Sequence, residues 1–370
     1  MILSGIGTSV PAYDAPQSEA AELHAELSAL DPVRARTLRA LYRRSGVRRR
    51  GSVLLHRPDG ALRDRQDFFR AVADEGDRGP STADRMARYE RAAPALALAA
   101  ARSALEDAAV TPDQVSHLVI VSCTGFVSPG VDASLVQELG LAAGVTRTQV
   151  GFMGCHGTFN GLRVAHGFTR ADPTAYALVC SVELCSLHFA YGWDPESMVA
   201  NALFADGAGA VVCGGERSGG GDGAPADRAD DWRVAATGTV ILADTAEDMT
   251  WRIGDHGFRM TLSPRVPEVI GRELRSWLGG WLAMSGLGLE DIASWAVHPG
   301  GPRILDAVEG ALDLERDRTS SAREVLAAHG NMSSATILFI LQRLRATGAP
   351  RPCVALAFGP GLVAEAALIV

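Results

Sequence analysis

Gly-Phe-Met-Gly-Cys-His-Gly (151–157) is the stretch on which the reading of this chain turns. Its three glycines permit a sharp entry from a strand into a helix, and Cys155 falls on that entry. At the first turn of a helix the unpaired amides and the dipole favour thiolate over thiol, lowering a pKa of about 8.5. A cysteine among apolar residues is ordinarily inert core. Cys123, Cys180, Cys185 and Cys213 lack the glycine setting and are not expected to be nucleophiles. Two further tight turns carry polar groups. Val-His-Pro-Gly-Gly (297–301) puts His298 at the end of a buried strand, where open α/β sheets place their chemistry. His-Gly-Asn-Met-Ser-Ser-Ala (329–335) puts Asn331 at the start of a helix. Thiol, imidazole and carboxamide are the parts of a thiolate catalyst, and a histidine close to Cys155 would hold a thiolate–imidazolium pair. The plain alternative for His298 is a core histidine bonded to backbone. For Asn331 it is a helix N-cap, and local features leave that open against a donor that holds a carbonyl or carboxylate oxygen.

Working outward, two stretches share one pattern. His-Leu-Val-Ile-Val (117–121) is a buried strand, followed by a Ser-Pro-Gly turn, a helix Val131–Leu139, the Cys155 turn, a helix to about Thr169 and a strand Ala175–Cys180. Ser-Trp-Ala-Val (294–297) is a strand, followed by Pro-Gly-Gly, a helix Pro302–Leu312, the Asn331 turn, a helix Ser334–Ala346 and a strand Cys353–Phe358. Thr124, just past the first strand, lies 31 residues before Cys155, and His298 lies 33 before Asn331. Order and spacing thus predict a duplicated α/β fold with buried sheets covered by helices. The halves would be 1–222, with the cysteine, and 223–370, with the histidine and asparagine. Between them Gly214–Asp227, rich in Gly and Asp, reads as a mobile surface loop. Amphipathic helices are expected at Ala21–Leu30 and Ala35–Tyr42, and an Ala-rich one over Ala95–Ala109 with Pro94 at its first position.

Composition bounds the function. A chain of 370 residues with 47% hydrophobic and 21% charged residues is an ordinary globular protein. The net charge of −8 disfavours nucleic acid and anionic membrane as partners. No run nears the roughly 18 apolar residues that span a bilayer, and no signal peptide is apparent. Six cysteines without a CxxC pair point to a reducing, cytoplasmic setting. The sequence contains no lysine, so its fixed cations are all arginine.

Gly-Cys-His-Gly (154–157), His-Pro-Gly-Gly (298–301), Gly-Asn-Met-Ser-Ser-Ala (330–335) and Phe-Gly-Pro-Gly-Leu (358–362) resemble the signatures of chalcone-synthase-like type III polyketide synthases. Ala202–Ala210 fits as well and Trp251–Phe258 more loosely; the first 90 residues match less well. The resemblance implies a thiolase-like, five-layered α-β-α-β-α fold forming a homodimer. It implies that Cys155 accepts an acyl group from a coenzyme A thioester starter, while His298 and Asn331 stabilise the thioester oxygen and promote decarboxylation of malonyl-CoA to an enolate. That enolate would attack the Cys155 thioester in a Claisen condensation, and the extended chain would cyclise to a small aromatic or pyrone product. No metal and no cofactor beyond the coenzyme A substrates are implied.

The same resemblance makes Phe204 the aromatic gatekeeper, the alternative being a core phenylalanine beside Leu203. By rough alignment Cys123, Thr124, Glu183, Cys185, His188, Trp251, Met260 and Ser333 fall where family members shape the product, against ordinary packing. Trp251 stands where plant chalcone synthases have glycine; an indole there removes volume and favours a small starter or few extensions. Arg39, Arg43, Arg44 and Arg48–Arg50 form the densest basic segment, which reads as a solvated helix face or as a seat for coenzyme A phosphates. Arg44 matches a family cation; two others align with Thr37 and Ala40, and Arg39 would substitute. Rival readings are a ketoacyl-ACP synthase III-type single condensation, a thiolase-fold acyltransferase, and a non-catalytic dimeric binding protein.

Overall fold

The computed structural model describes residues 1–74, 76–215 and 231–370. The expected loop Gly214–Asp227, beyond Gly214 and Gly215, and the boundary at 222/223 lie outside the described residues. Apolar runs rich in valine, isoleucine and alanine build two sheets. The first has five strands in the order Ile2–Ser9, Asp206–Gly214, Tyr176–Leu184, Val115–Ser122 and Thr146–Gly151. The second has four, in the order Val234–Ile241, Val363–Ile369, Cys353–Gly359 and Ser294–Val297.

The two sheets repeat one topology. Val115–Ser122 runs parallel to Tyr176–Leu184, and antiparallel steps lead through Asp206–Gly214 to Ile2–Ser9. In the other half Ser294–Val297 runs parallel to Cys353–Gly359, and antiparallel steps lead through Val363–Ile369 to Val234–Ile241. Strand senses and chain order correspond one to one. Within these two sheets only Thr146–Gly151 lacks a counterpart, and it forms an open edge of the first sheet.

Helices fill the layers. Thr336–Ala346 is buried from Thr336 through Leu341, as a helix apolar on every side must be. It touches strands of both sheets, as does Gly157–Ala171. These two form the central layer. Thr82–Ala108 covers the outer face of the first sheet, while Val266–Ala283 and Pro302–Leu312 pack together on the core of the second.

One helix departs from expectation. The Ala-rich helix starts not at Pro94 but at Thr82, and Pro94 lies inside it. Ser81 and Asp84 close a capping box at its start. An unbroken stripe of Arg85, Tyr89, Ala93, Leu96, Ala97, Ala100, Ala101 and Ala104 buries against the sheet. That packing outweighs the roughly 3 kcal/mol a proline costs in a helix interior. The two earlier helices span Gln17–Leu27 and Pro32–Arg44, a few residues from their expected bounds. Among the described residues no helix is long and apolar enough to cross a membrane.

Candidate active site

The glycines around Cys155 act as expected. Gly154 takes a left-handed φ of +72°, and a Cβ on it would stand 2.5 Å from Pro360. A Cβ on Gly157 would stand 2.8 Å from Val121. The chain thus leaves Thr146–Gly151, makes a tight turn Gly154–His156 and enters the helix Gly157–Ala171 with Cys155 on the turn. That turn packs against a matching turn of the other half, Ser333–Ala335. Phe152 at φ +59° and Ser333 at φ +48° are non-glycine residues held left-handed beside the two turns. Each such residue costs about 1–3 kcal/mol and persists only where the surroundings over-determine it.

Asn331 is tied to Phe204 by a parallel β-bridge: its N–H donates to Leu203 O at 2.9 Å, and its carbonyl accepts from Ala205 N at 2.9 Å. Its carboxamide caps the turn with its oxygen and leaves its donor side unspent. Oδ1 accepts from Ser333 N at 2.9 Å, which fixes the amide orientation and caps the turn. Nδ2 is buried with no hydrogen-bond partner within ordinary distance, yet the Asn331 side chain lies close enough to the Cys155 thiol to pull it down. His298 ends its strand with N–H donating to Leu356 O at 2.8 Å, and it is 1% exposed. Neither of its ring nitrogens has a partner. It is not the backbone-bonded core histidine of the plain alternative.

Burial works against the expected thiolate. Burial pushes the Cys155 thiol up to about 12; the Ser333 side chain pulls it back, the Glu183 carboxylate raises it further, and the Asn331 side chain pulls it back again. Burial, and then the charge of His156, drops His298 to about 3. The two ends of a helix-stabilised ion pair are both driven towards neutrality, because desolvation exceeds what one helix terminus supplies. Burial thus favours the thiol and the neutral imidazole. Cys180 and Cys213 are likewise pushed up to about 12, so acidity does not single out Cys155. Its position does.

Cys155 opens into a cavity of about 170 Å³. Cys123, Thr124, Cys185, His188, Phe204, Trp251, Met260 and Ser333 all line it, as the resemblance implies. His298 and Asn331 stand behind this wall. So does Glu183, whose expected place in the wall is corrected: fully buried, it accepts from Thr124 Oγ1 at 2.6 Å and Cys123 N at 3.0 Å, and from Ser334 Oγ. It fastens the wall from outside. His188 is locked in one tautomer, Nε2 donating to Thr124 O at 2.7 Å and Nδ1 accepting from Phe258 N at 3.0 Å. Trp251 donates its indole N–H to Cys123 O at 2.7 Å and meets the His188 ring edge-on. Cys123 Sγ lies 3.3 Å from Ser333 Oγ.

The basic segment divides by use. Arg39 is committed to Glu22 through two bonds of 2.6 and 2.7 Å, which counts against its holding a phosphate. Arg44 is exposed at the end of its helix with no carboxylate partner among the described residues. Arg50, read only as part of a basic run, donates to the carbonyls of Asn201 and Phe204 and lines the cavity. Phe258 and Pro360 also line it, and sequence reading passed over both as site residues. For Pro360 the signal was present in the terminal Phe-Gly-Pro-Gly motif.

Two repeated halves, each delivering a strained turn to one shared cavity, with a thiol on its wall and an imidazole and a carboxamide buried behind it, define a thiolase-like condensing enzyme. Residues 1–217 match the family described as chalcone and stilbene synthases, N-terminal domain, and residues 233–370 match its C-terminal domain. The chain belongs to that family, the type III polyketide synthases. It is 36% identical to 1,3,6,8-tetrahydroxynaphthalene synthase of Streptomyces peucetius subsp. caesius, over 99% of this chain and 92% of that one. It is 32% identical to an alpha-pyrone synthesis polyketide synthase-like protein of Mycobacterium tuberculosis, over 99% and 90% of the respective chains. The crystal structure of PKS-I from the brown alga Ectocarpus siliculosus superposes with a TM-score of 0.90 at 29% identity, covering 100% of this chain and 97% of that one.

Proposed function

We propose that Cys155 takes the acyl group of a coenzyme A starter as a thioester, and that His298 and Asn331 stabilise the oxyanion and enolate of decarboxylative condensation with malonyl-CoA. One observation carries this: His298 and Asn331 keep buried polar nitrogens with no protein partner next to the turn that holds the thiol. A buried donor left unpaired costs about 1–3 kcal/mol, and a substrate oxygen that becomes anionic supplies the partner. The thiol proton passes to His298 as the thioester is attacked. The negative charge then forms on the substrate oxygen, facing the Asn331 amide.

Phe204, held by its bridge to Asn331, serves as gate between this centre and the cavity. Arg44 is the candidate contact for coenzyme A phosphates. Malonyl-CoA as extender, an aromatic or pyrone product, the cytoplasm as compartment and a division into halves at 222/223 complete the reading. A homodimer joined along Thr146–Gly151 is supported by that strand's open edge and by Phe126 and Met153 beside it, 40% and 37% exposed. The test is release of carbon dioxide from malonyl-CoA with a starter panel. Cys155→Ala should abolish product, a loss on the order of 10⁴-fold or more. Absence of carbon dioxide with every starter would sink the condensing reading, and acyl transfer without it would favour a plain acyltransferase.

A further inference from the structure

A second imidazole follows directly on the thiol. His156 is 1% exposed, ends the turn Gly154–His156 and, unlike Cys155, does not line the cavity. We propose that it is a positioning residue for the reaction: Asn160, Glu365 and Arg163 hold its ring neutral, and a neutral ring there lets His298 take the thiol proton. The proposal rests on the reading that His298 is the acceptor of that proton.

Spacing and packing build the line. His156, Asn160 and Arg163 recur at i, i+4 and i+7, which places them on one face of the helix Gly157–Ala171 and its entry, and that helix meets the strand Val363–Ile369. There Glu365, 2% exposed, accepts from Asn160 Nδ2 at 3.4 Å, from Thr239 Oγ1 at 3.0 Å and from the Arg163 guanidinium. An ionised carboxylate only accepts. Asn160 therefore turns its amide nitrogen to Glu365 and its Oδ1 to His156, whose Nδ1 lies 3.0 Å away. Nδ1 carries the ring proton of the neutral form, and Nε2 is where a second proton would go. The ring lies against Gly359, where a Cβ would stand 2.3 Å from Cδ2 and 2.8 Å from Nε2.

Gly359 ends the strand Cys353–Gly359, and Leu356 O of the same strand holds the backbone of His298. The two imidazoles thus border one strand end, and charge on His156 lowers His298. A proton on Nε2 would therefore deny His298 the proton of the thiol. Burial lowers His156, the Asn160 bond and the Glu365 charge raise it, and the Arg163 charge lowers it. The guanidinium offsets the carboxylate, so burial decides in favour of the neutral ring. The other titratable groups about the turn are Cys155 on it, His298 at the end of Ser294–Val297, and Glu183, bonded to Ser334 of the turn Ser333–Ala335. The strand Cys353–Gly359 carries no charged side chain.

The experiment follows kcat/KM of the purified full chain against pH, by carbon dioxide release from malonyl-CoA with acetyl-, hexanoyl- or cinnamoyl-CoA. Glu365→Gln keeps an acceptor for Asn160 and Thr239 but removes the charge. It should move the acid limb to lower pH by about half a unit or more, as expected for one charge several ångströms away in a protein interior. Arg163→Gln leaves the Glu365 charge unopposed and should move the limb to higher pH. His156→Gln keeps a donor for Asn160 but does not titrate, and in that background Glu365→Gln should leave the limb in place. A purely structural line would lower Tm and the plateau in these variants without moving the limb. Limbs that stay put in Glu365→Gln and Arg163→Gln, or move in the same direction, overturn the proposal while leaving the condensing reading intact. So does a full Glu365→Gln shift in the His156→Gln background. If thermal melting shows His156→Gln unfolded, the opposed shifts of the other two variants decide alone. Failure of every starter to release carbon dioxide removes the condensing reading, and the proposal falls with it.

Discussion

His188 and His298 are both buried beside the same cavity, and burial lowers both to about 3. Their surroundings are opposite. His188 spends both ring nitrogens on backbone, stacks on Phe258 with ring centroids 4.2 Å apart, and so belongs to the wall. His298 spends neither. The same contrast separates Glu183, fully bonded behind the wall, from Asn331, which keeps one amide nitrogen free. Burial alone therefore does not mark a functional group in this protein. What separates His298 and Asn331 from His188 and Glu183 is burial without satisfaction, a state they share with His24 Nε2 and Trp295 Nε1.

The comparison breaks most directly by exchanging the two histidines' fates. His298→Asn should lower kcat about 10²–10³-fold, the usual loss for one oxyanion donor, with little change in stability. Asn331→Asp keeps an acceptor for Ser333 N but removes the amide donor, and should lose a similar factor without losing the turn. His188→Asn should do the reverse, costing about 2–4 kcal/mol in denaturant unfolding as Thr124 O and Phe258 N lose their partners. An unstable His298 variant, or a stable His188 variant with crippled chemistry, would reverse the assignment.

Acid titration gives the next largest effect. His24, His188 and His298 are all held near 3, against about 6.5 in an unfolded chain. Between those values the unfolded state binds the extra protons, so stability is lost as pH falls from about 6.5 towards 3. Each histidine contributes up to about 1.4 kcal/mol per pH unit. Unfolding midpoints from pH 7 to 4 should show the slope, and His298→Asn should flatten it without lowering stability at pH 7. Trp251→Gly comes next: it removes an indole from the wall and should yield products with more extensions by mass spectrometry, and an unchanged product length counts against the volume argument. Smallest are the surface arginines. Arg44→Ala should raise KM for malonyl-CoA a few-fold, the worth of one exposed charge contact at about 1 kcal/mol or less, while Arg39→Ala, removing a partner of Glu22, should leave KM unmoved.

Much of the fold was legible because its signals are local. Valine and isoleucine runs, Pro-Gly-Gly and the glycines about Cys155 mark strands and turns, and their order exposed the repeat that the two sheets then matched strand for strand. The start of the long helix was missed because Pro94 is a local warning, while the stripe from Arg85 to Ala104 that overrides it is energy from packing on a sheet distant in sequence. Within the site, residue types and glycine spacing named Cys155, His298 and Asn331. They could not weigh the burial that opposes a thiolate, since a helix terminus is visible in the chain and desolvation is not. Arg50 and Glu183 show the same limit: a cation in a basic run and a carboxylate near a cavity acquire their roles from carbonyls and hydroxyls more than 50 residues away. By itself the sequence determined which groups are present and which backbone turns can hold them, because steric freedom at glycine and strand propensity act over a few residues. Only the tertiary structure decided which buried polar atoms are left without partners and how far the apolar cavity runs past them, because hydrogen-bond satisfaction and enclosed volume are sums over elements that the chain brings together from both halves.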